Sequence, residues 1–263
     1  MALLELTAHS QTLEREVDFL VILPESANGL IGMESRESAC CKTLYLLHGM
    51  SDDHTIWLRR TSIERYASEK GLAVVMPAAD LSFYSNMAKG DRYWDFISTE
   101  LPALCRSLFP QMSTRREDTF VAGLSMGGYG ALKCGLRAAD TFSYAAGLSS
   151  CADIVALARS GGLAAKEFWR DIFGDLRKLP GSFDDLFAAA KDLAKAGKPK
   201  VRFYMWCGTE DGLYPDNVKL RDHMLSLGLD LTYEESPGTH AWKYWDEKIQ
   251  TVLSWLPLGK EEK

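Results

Sequence analysis

No apolar run in this chain approaches the roughly 20 residues that a bilayer crossing requires. The opening, Met1-Ala2-Leu3-Leu4-Glu5, lacks the basic start and sustained apolar stretch of a secretory leader. Positive charge is not in excess either. Thirty basic side chains stand against 36 acidic ones, a net charge of −6, which leaves no broad cationic field to hold a nucleic acid. Cysteine is sparse and unpatterned: the six thiols, two of them adjacent at Cys40 and Cys41, include no Cys-x-x-Cys pair. Zinc spacing is therefore missing, and a disulfide scaffold is not needed at this length. Repeats, low-complexity tracts and long linkers are also absent. The expectation is a cytoplasmic protein without nucleic-acid or membrane partners.

What is present suits a large packed core: 263 residues, 46% apolar and 11% aromatic. Short β-rich runs alternate with amphipathic helical stretches. Strands are expected at 14–23, 43–47, 72–76, 120–124, 144–148, 201–206 and 231–235, with a turn at Ser26-Ala27-Asn28-Gly29 after the first. Helical spacing occupies 56–68, 93–108, 127–138, 218–227 and 242–255. Such alternation predicts an α/β fold, with a mainly parallel sheet and helices on both faces. Right-handed crossovers then gather the loops that follow the strands at one sheet edge. One domain, 1–263, is expected. The stretch 151–200 breaks the rhythm with helical patches at 154–158, 166–172 and 184–196, and reads as a helical insertion over that edge.

The sharpest motif is Gly123-Leu124-Ser125-Met126-Gly127-Gly128-Tyr129-Gly130. It follows an apolar strand and opens a helix, the context a Gly-x-Ser-x-Gly nucleophile elbow needs. A chance glycine-rich turn is the bland alternative, and the flanking strand and helix argue against it. A serine hydroxyl needs a base to take its proton. Of the five histidines, His240 stands directly after the last strand, on the same edge as Ser125. His223 lies within a helix and His9 near the N-terminus. The base in turn needs a carboxylate to fix its tautomer. Asp211, after the strand 201–206, fits best, with Glu210 and Asp216 as rivals in one loop. Chain order is then Ser125, Asp211, His240, that of the elbow hydrolases.

A tetrahedral intermediate needs donors for its oxyanion. The Met126 amide follows the nucleophile. The Met50 amide lies in the loop Leu47-His48-Gly49-Met50-Ser51 after an earlier strand. His48 is expected to support that loop rather than to react. Tyr84, Met87 and Trp94 follow another edge loop and are candidates for pocket walls, with ordinary packing as their alternative.

At this point the chain resembles the tributyrin and acetyl esterases of the esterase D group, in the α/β-hydrolase superfamily. The resemblance rests on Leu47-His48-Gly49-Met50-Ser51-Asp52-Asp53-His54, Trp57-Leu58-Arg59-Arg60, Met76-Pro77, Phe83-Tyr84, the segments 123–130 and 207–214, and His240-Ala241-Trp242-Lys243-Tyr244-Trp245. It implies Ser125 as nucleophile, Asp211 and His240 as its partners, and the Met50 and Met126 amides as oxyanion donors. It further implies cleavage of short acyl esters, acetyl to butyryl, as small-molecule substrates or as acetyl and feruloyl groups on plant polysaccharides. No cofactor is implied, and a homo-oligomer is. Relatives that hydrolyse S-formylglutathione carry a cysteine after His-Gly-Leu. Met50-Ser51-Asp52 stands there instead, so a thioesterase is the alternative function, beside a non-catalytic binding protein on the same fold.

Overall fold

The computed structural model describes residues 1–25, 40–161, 163–197 and 200–259; the turn expected at 26–29 lies outside them. Eight strands form one sheet in the order β1-β2-β4-β3-β5-β6-β7-β8. They are β1 (Ala2–Ser10), β2 (Arg15–Leu23), β3 (Thr43–Leu47), β4 (Ala73–Pro77), β5 (Thr119–Leu124), β6 (Tyr144–Leu148), β7 (Arg202–Gly208) and β8 (Asp230–Ser236). The pairs β1–β2 and β2–β4 are antiparallel, and every pairing from β4 through β8 is parallel. The chain runs from β3 outward to β4 and then crosses back, so β3 and β5 flank the point where strand order reverses. Loops leaving neighbouring strands at such a point diverge and open a crevice. Here those are the Gly49 loop and the Ser125 elbow.

β3, β4 and β5 are buried along their whole length, as strands covered on both faces must be. In β5, Val121 joins the core beneath helices α4 (Leu101–Leu108), α5 (Met126–Arg137) and α9 (Tyr214–Ser226). Phe120, Ala122 and Leu124 face the other core, formed with α1 (Ile56–Arg60), α2 (Ile63–Lys70) and α10 (Trp242–Trp255). Three further helices, α6 (Ile154–Ser160), α7 (Lys166–Phe173) and α8 (Leu186–Lys195), stand between β6 and β7, where helical patches are expected. No helix among the described residues is long and apolar enough to cross a membrane.

The helix expected over 56–68 is two helices, because Thr61 intervenes. Its hydroxyl donates to the Trp57 carbonyl at 2.6 Å and accepts from the Ile63 N–H at 3.1 Å, closing one helix and starting the next. The helix expected over 93–108 contains α3 (Tyr93–Asp95), then a π-helical turn over Phe96–Glu100, and then α4.

The segment preceding α8 is pinned to α5 by a buried charge. Lys133 has no solvent exposure. Its ammonium donates to the Asp184 carboxylate, to Ser85 Oγ at 2.8 Å and to the Tyr84 carbonyl at 3.3 Å. Burial pulls its pKa down, and Asp184 opposes that pull. Tyr129 adds a bond from its hydroxyl to the Asp184 carbonyl at 2.8 Å.

Candidate active site

Ser125 sits between β5 and α5 at φ +53°, ψ −116°, a region that costs a non-glycine residue on the order of 1–3 kcal/mol. The surroundings hold it there. Its N–H donates to the Leu148 carbonyl at 2.9 Å, and its carbonyl accepts from the Cys151 and Tyr129 amides at 3.1 and 3.0 Å. The flanking glycines are a steric demand: a Cβ on Gly123 would lie 2.3 Å from the Gly127 carbonyl oxygen, and one on Gly127 would lie 2.4 Å from that of Leu47. The elbow turns only without those side chains.

His240, in the loop between β8 and α10, reaches the elbow from across the sheet edge. Its Nε2 lies 3.0 Å from Ser125 Oγ, and its Nδ1 lies 2.8 Å from Asp211 Oδ2. A carboxylate can only accept, so Nδ1 carries the proton and Nε2 is free to accept from the serine. Asp211 Oδ1 accepts from the Leu213 N–H at 2.9 Å. Burial pushes the Asp211 pKa up, but His240, the Leu213 amide and the Ser149 hydroxyl outweigh it and hold the carboxyl below its ordinary range. Asp211 is 4% exposed, and the His240 side chain is 38% exposed. The imidazole therefore has one open side, as a group that exchanged protons with substrate and water would require.

The rival carboxylates have other partners. Glu210 Oε2 accepts from the Gly238 N–H at 2.6 Å, while the Glu210 N–H donates to the Gly238 carbonyl at 3.0 Å. It thereby clips the Asp211 loop to the His240 loop. Asp216 pairs with Lys219 at 2.7 Å. His223 Nε2 lies 3.0 Å from the Phe187 carbonyl, and His9 pairs with Glu16.

The loop after β3 is held through three successive carbonyls. Trp57 Nε1 donates to Leu47 at 3.0 Å, the Tyr84 hydroxyl to His48 at 2.8 Å, and His48 Nδ1 to Gly49 at 2.8 Å. His48 Nε2 accepts from the Ala79 N–H at 3.0 Å, and burial lowers the ring's pKa, so it stands as a neutral strut. In a trans peptide the N–H points opposite the C=O, and fixing the Gly49 carbonyl therefore fixes the Met50 N–H. The Met126 N–H heads α5, where no preceding turn of helix supplies a carbonyl. The positive end of the α5 dipole points the same way. The Gly49 loop and the start of α5 meet at Ser125, where a Cβ on Gly49 would lie 3.8 Å from Ser125 Cβ.

Tyr84 is not a pocket wall. It has no exposure, and its hydroxyl is spent on His48, so its part is to support the loop. Trp94 packs edge-on against Phe183 at 5.2 Å and lies over the Lys133 ammonium at 5.0 Å. Met87 is partly buried against the core that contains Phe83 and Tyr84. Several supporting residues have no role legible in the sequence: Ser149 and Asn217, which lie in no motif, and the indoles of Trp57 and Trp245, whose motifs do not reveal the bonds they make. Asn217, fully buried, donates from Nδ2 to the Ser150 and Leu213 carbonyls at 2.8 and 2.9 Å, tying the β6 loop to the Asp211 loop. The Cys151 thiol lies 3.8 Å from Ser125 Oγ, but burial pushes its pKa up to about 12, which makes it a neutral neighbour rather than a nucleophile. Among the described residues no group of three or more His, Cys, Asp or Glu side chains could hold a metal ion.

A family model described as "Putative esterase" matches residues 10–256. The chain belongs to this esterase family. The esterase is 33% identical to an acetyl esterase of Caldicellulosiruptor saccharolyticus, over 97% of this chain and 98% of that one. It is 35% identical to FphF, a fluorophosphonate-binding serine hydrolase of Staphylococcus aureus, with a TM-score of 0.88 and coverage of 98% and 99%. The S-formylglutathione hydrolase FrmB of Staphylococcus aureus matches at 35% identity and a TM-score of 0.85, again over 98% and 99% of the two chains. The esterase is accordingly a serine carboxylesterase with the α/β-hydrolase fold.

Proposed function

We propose that the protein hydrolyses short-chain acyl esters, acetyl to butyryl and tributyrin-like, by acyl transfer through Ser125. The observation that carries this reading is the unbroken path from Asp211 through His240 to a strained Ser125, beside two fixed backbone amides. His240 Nε2 takes the Ser125 proton as Oγ bonds to the ester carbonyl carbon. The carbonyl oxygen becomes an oxyanion between the Met50 and Met126 amides. The intermediate expels the alcohol, which leaves with the proton from His240, and an acyl-serine remains. Water repeats the sequence, releasing the acid and restoring Ser125. No step calls for a cofactor. A small-molecule ester in the cytoplasm is the proposed substrate, with acetyl or feruloyl groups on plant polysaccharides as members of the same chemical class.

The rival substrate is a glutathione thioester, suggested by the likeness to an S-formylglutathione hydrolase. Asp52 argues against it. A Cβ placed on Gly49 would lie 3.0 Å from Asp52 Oδ2 and 3.8 Å from Ser125 Cβ, so Gly49 alone separates the carboxylate from Ser125. Glutathione carries two carboxylates of its own.

The test is p-nitrophenol release from acetate, butyrate and octanoate esters, wild type beside Ser125→Ala. The rate should fall with chain length, and Ser125→Ala should lower kcat by about 10⁵- to 10⁶-fold. Full activity in the variant would overturn the assignment.

A further inference from the structure

Strands β7 and β8 separate just before the site, one leading to Asp211 and the other to His240. Their register pairs Gly208 with Ser236, and the Thr209 N–H extends it with a bond to the Ser236 carbonyl at 3.0 Å. Pro237 then turns the chain out of the ladder, because its ring holds φ at roughly −65° where a parallel strand needs about −120°. The next amide, that of Gly238, finds its partner in a side chain: it donates to Glu210 Oε2 at 2.6 Å. We propose that Glu210 is a positioning residue of the site, its carboxylate oxygen setting the loop that carries Asp211 against the loop that carries His240. This rests on Ser125, His240 and Asp211 acting together.

The bridge consists of two bonds running in opposite senses. The Glu210 N–H donates to the Gly238 carbonyl at 3.0 Å, while the Gly238 N–H donates to the Glu210 carboxylate. One hydrogen bond leaves two loops free to pivot about it. Two bonds between the same pair of residues close a ring and remove that freedom. The two backbones also meet closely here, since a Cβ on Gly208 would lie 2.2 Å from the Gly238 carbonyl oxygen. Gly238 is buried, so its amide needs a partner, and Glu210 supplies it.

Glu210 directly precedes Asp211, and Gly238 stands two residues before His240. The Asp211 main chain is fixed on its own side, its N–H donating to the Gly208 carbonyl at 3.1 Å and its carbonyl accepting from the Tyr214 N–H at 3.0 Å. The main-chain bonds around His240 are equally local, from the Ala241 N–H to the Thr239 carbonyl at 2.9 Å and from the Tyr244 N–H to the Ala241 carbonyl at 3.1 Å. Neither set relates one loop to the other. Among the described residues, the bridge does so beyond Ser236, together with the contact of 2.8 Å between His240 Nδ1 and Asp211 Oδ2. His240 Nε2 must at the same time stay 3.0 Å from Ser125 Oγ. A misplacement on the order of 1 Å at such a centre lowers the rate by up to about 10²-fold.

The role belongs to the place of the oxygen and not to its charge, which is screened because Glu210 is an exposed residue. Three substitutions separate the two. Glu210→Gln keeps an acceptor at the same reach and removes the charge. Glu210→Asp keeps the charge and draws the oxygens back by one methylene. Glu210→Ala removes both.

The full-length variants are compared with wild type in kcat and KM on p-nitrophenyl acetate, and in the rate at which an alkyl fluorophosphonate labels Ser125. Glu210→Ala and Glu210→Asp should slow both rates about tenfold with KM within about twofold. Glu210→Gln should stay within about threefold of wild type. In an Asp211→Ala background the bridge has no acid left to place, and Glu210→Ala should then slow labelling by no more than about twofold. Wild-type rates in the Ala and Asp variants, with only the melting temperature lowered, would overturn the proposal. So would a Gln variant as slow as the Ala variant, or a loss that multiplies in full with Asp211→Ala. Should Glu210→Ala fail to fold, the contrast between Glu210→Gln and Glu210→Asp decides. Wild type that labels but hydrolyses no ester would remove the substrate reading and leave this one to stand on the labelling rates. Labelling that survives Ser125→Ala would remove the triad, and this proposal with it.

Discussion

The phenol of Tyr84 donates to the main-chain carbonyl of His48 over 2.8 Å, from a position closed to solvent. Both Phe83 and Tyr84 stand at φ +50°, and the Lys133 ammonium anchors the Tyr84 carbonyl from behind. A strained, buried turn thus delivers one donor to the loop beside Ser125. Trp57 and His48 secure the carbonyls on either side. Three adjacent peptide planes are thereby fixed before any substrate arrives, which is what a preorganised oxyanion site requires.

Tyr84→Phe tests that arrangement. It keeps the ring and removes the donor, leaving the His48 carbonyl buried and unpaired, at a cost of about 1–3 kcal/mol. A melting temperature lower by several degrees is expected, together with kcat reduced about tenfold at nearly constant KM. A lower melting temperature with unchanged kcat would show that the Met50 amide does not depend on this bond.

Asp52 brings a carboxyl close to Gly49, which itself packs near Ser125. Burial raises its pKa, and the Gly49 amide acts against that rise. Asp53 adds repulsion, while Arg59 and Arg60 oppose it. A second negative charge several ångströms away across a half-solvated gap costs on the order of 1 kcal/mol. p-Nitrophenyl hemisuccinate should therefore be a poorer substrate than the acetate. Asp52→Asn should narrow that ratio about fivefold at low ionic strength, with less effect at high salt. An unchanged ratio would mean that the carboxylate does not face bound substrate.

Much of this molecule is legible in its sequence, for identifiable reasons. Buried parallel strands are nearly continuous apolar runs, so β3, β6 and their neighbours stand out. The elbow is equally legible because its Gly-x-Ser-x-Gly spacing is complete within five residues, although Gly127 also answers to the distant Leu47 carbonyl. β1 was not expected, although Ala2, Leu4, Leu6 and Ala8 alternate with exposed Leu3, Glu5, Thr7 and His9. A half-covered edge strand carries a weak signal, and Glu5, Thr7 and His9 make the segment look merely polar. α9 begins at Tyr214, earlier than its apolar spacing suggests, because Pro215 fits a first helical turn where no amide partner is needed. The supports of the site could not be read at all. Tyr84 to His48, Trp57 to Leu47 and Trp245 to Ser149 are bonds between different loops and helices, made to backbone or hydroxyl groups that leave no compositional trace.

The turn joining β1 to β2 is closed by a distant carboxylate, and this makes its stability depend on pH. Glu100 ends the π-helical turn and accepts from Ser10 Oγ at 2.7 Å, the Gln11 N–H at 2.6 Å and the Thr12 N–H at 3.0 Å. Burial works to raise its pKa, but the donors from Ser10, Gln11 and Thr12 prevail and hold it below its ordinary 4.5. A carboxyl depressed in the folded state binds its proton more readily when unfolded. Its contribution is therefore complete above pH 4.5 and is lost as pH falls through the lower folded value. Glu100→Gln should cost about 1 kcal/mol near neutrality, a modest figure because the group is partly solvated. That corresponds to roughly 2–4 °C in melting temperature for a chain of this size. The gap between wild type and variant should close progressively below pH 4.5, as Glu100 itself becomes neutral. Melting curves of the two proteins from pH 7 to pH 3 read this directly, and a gap that stays constant over that range would mean that the turn is held by something other than the Glu100 charge.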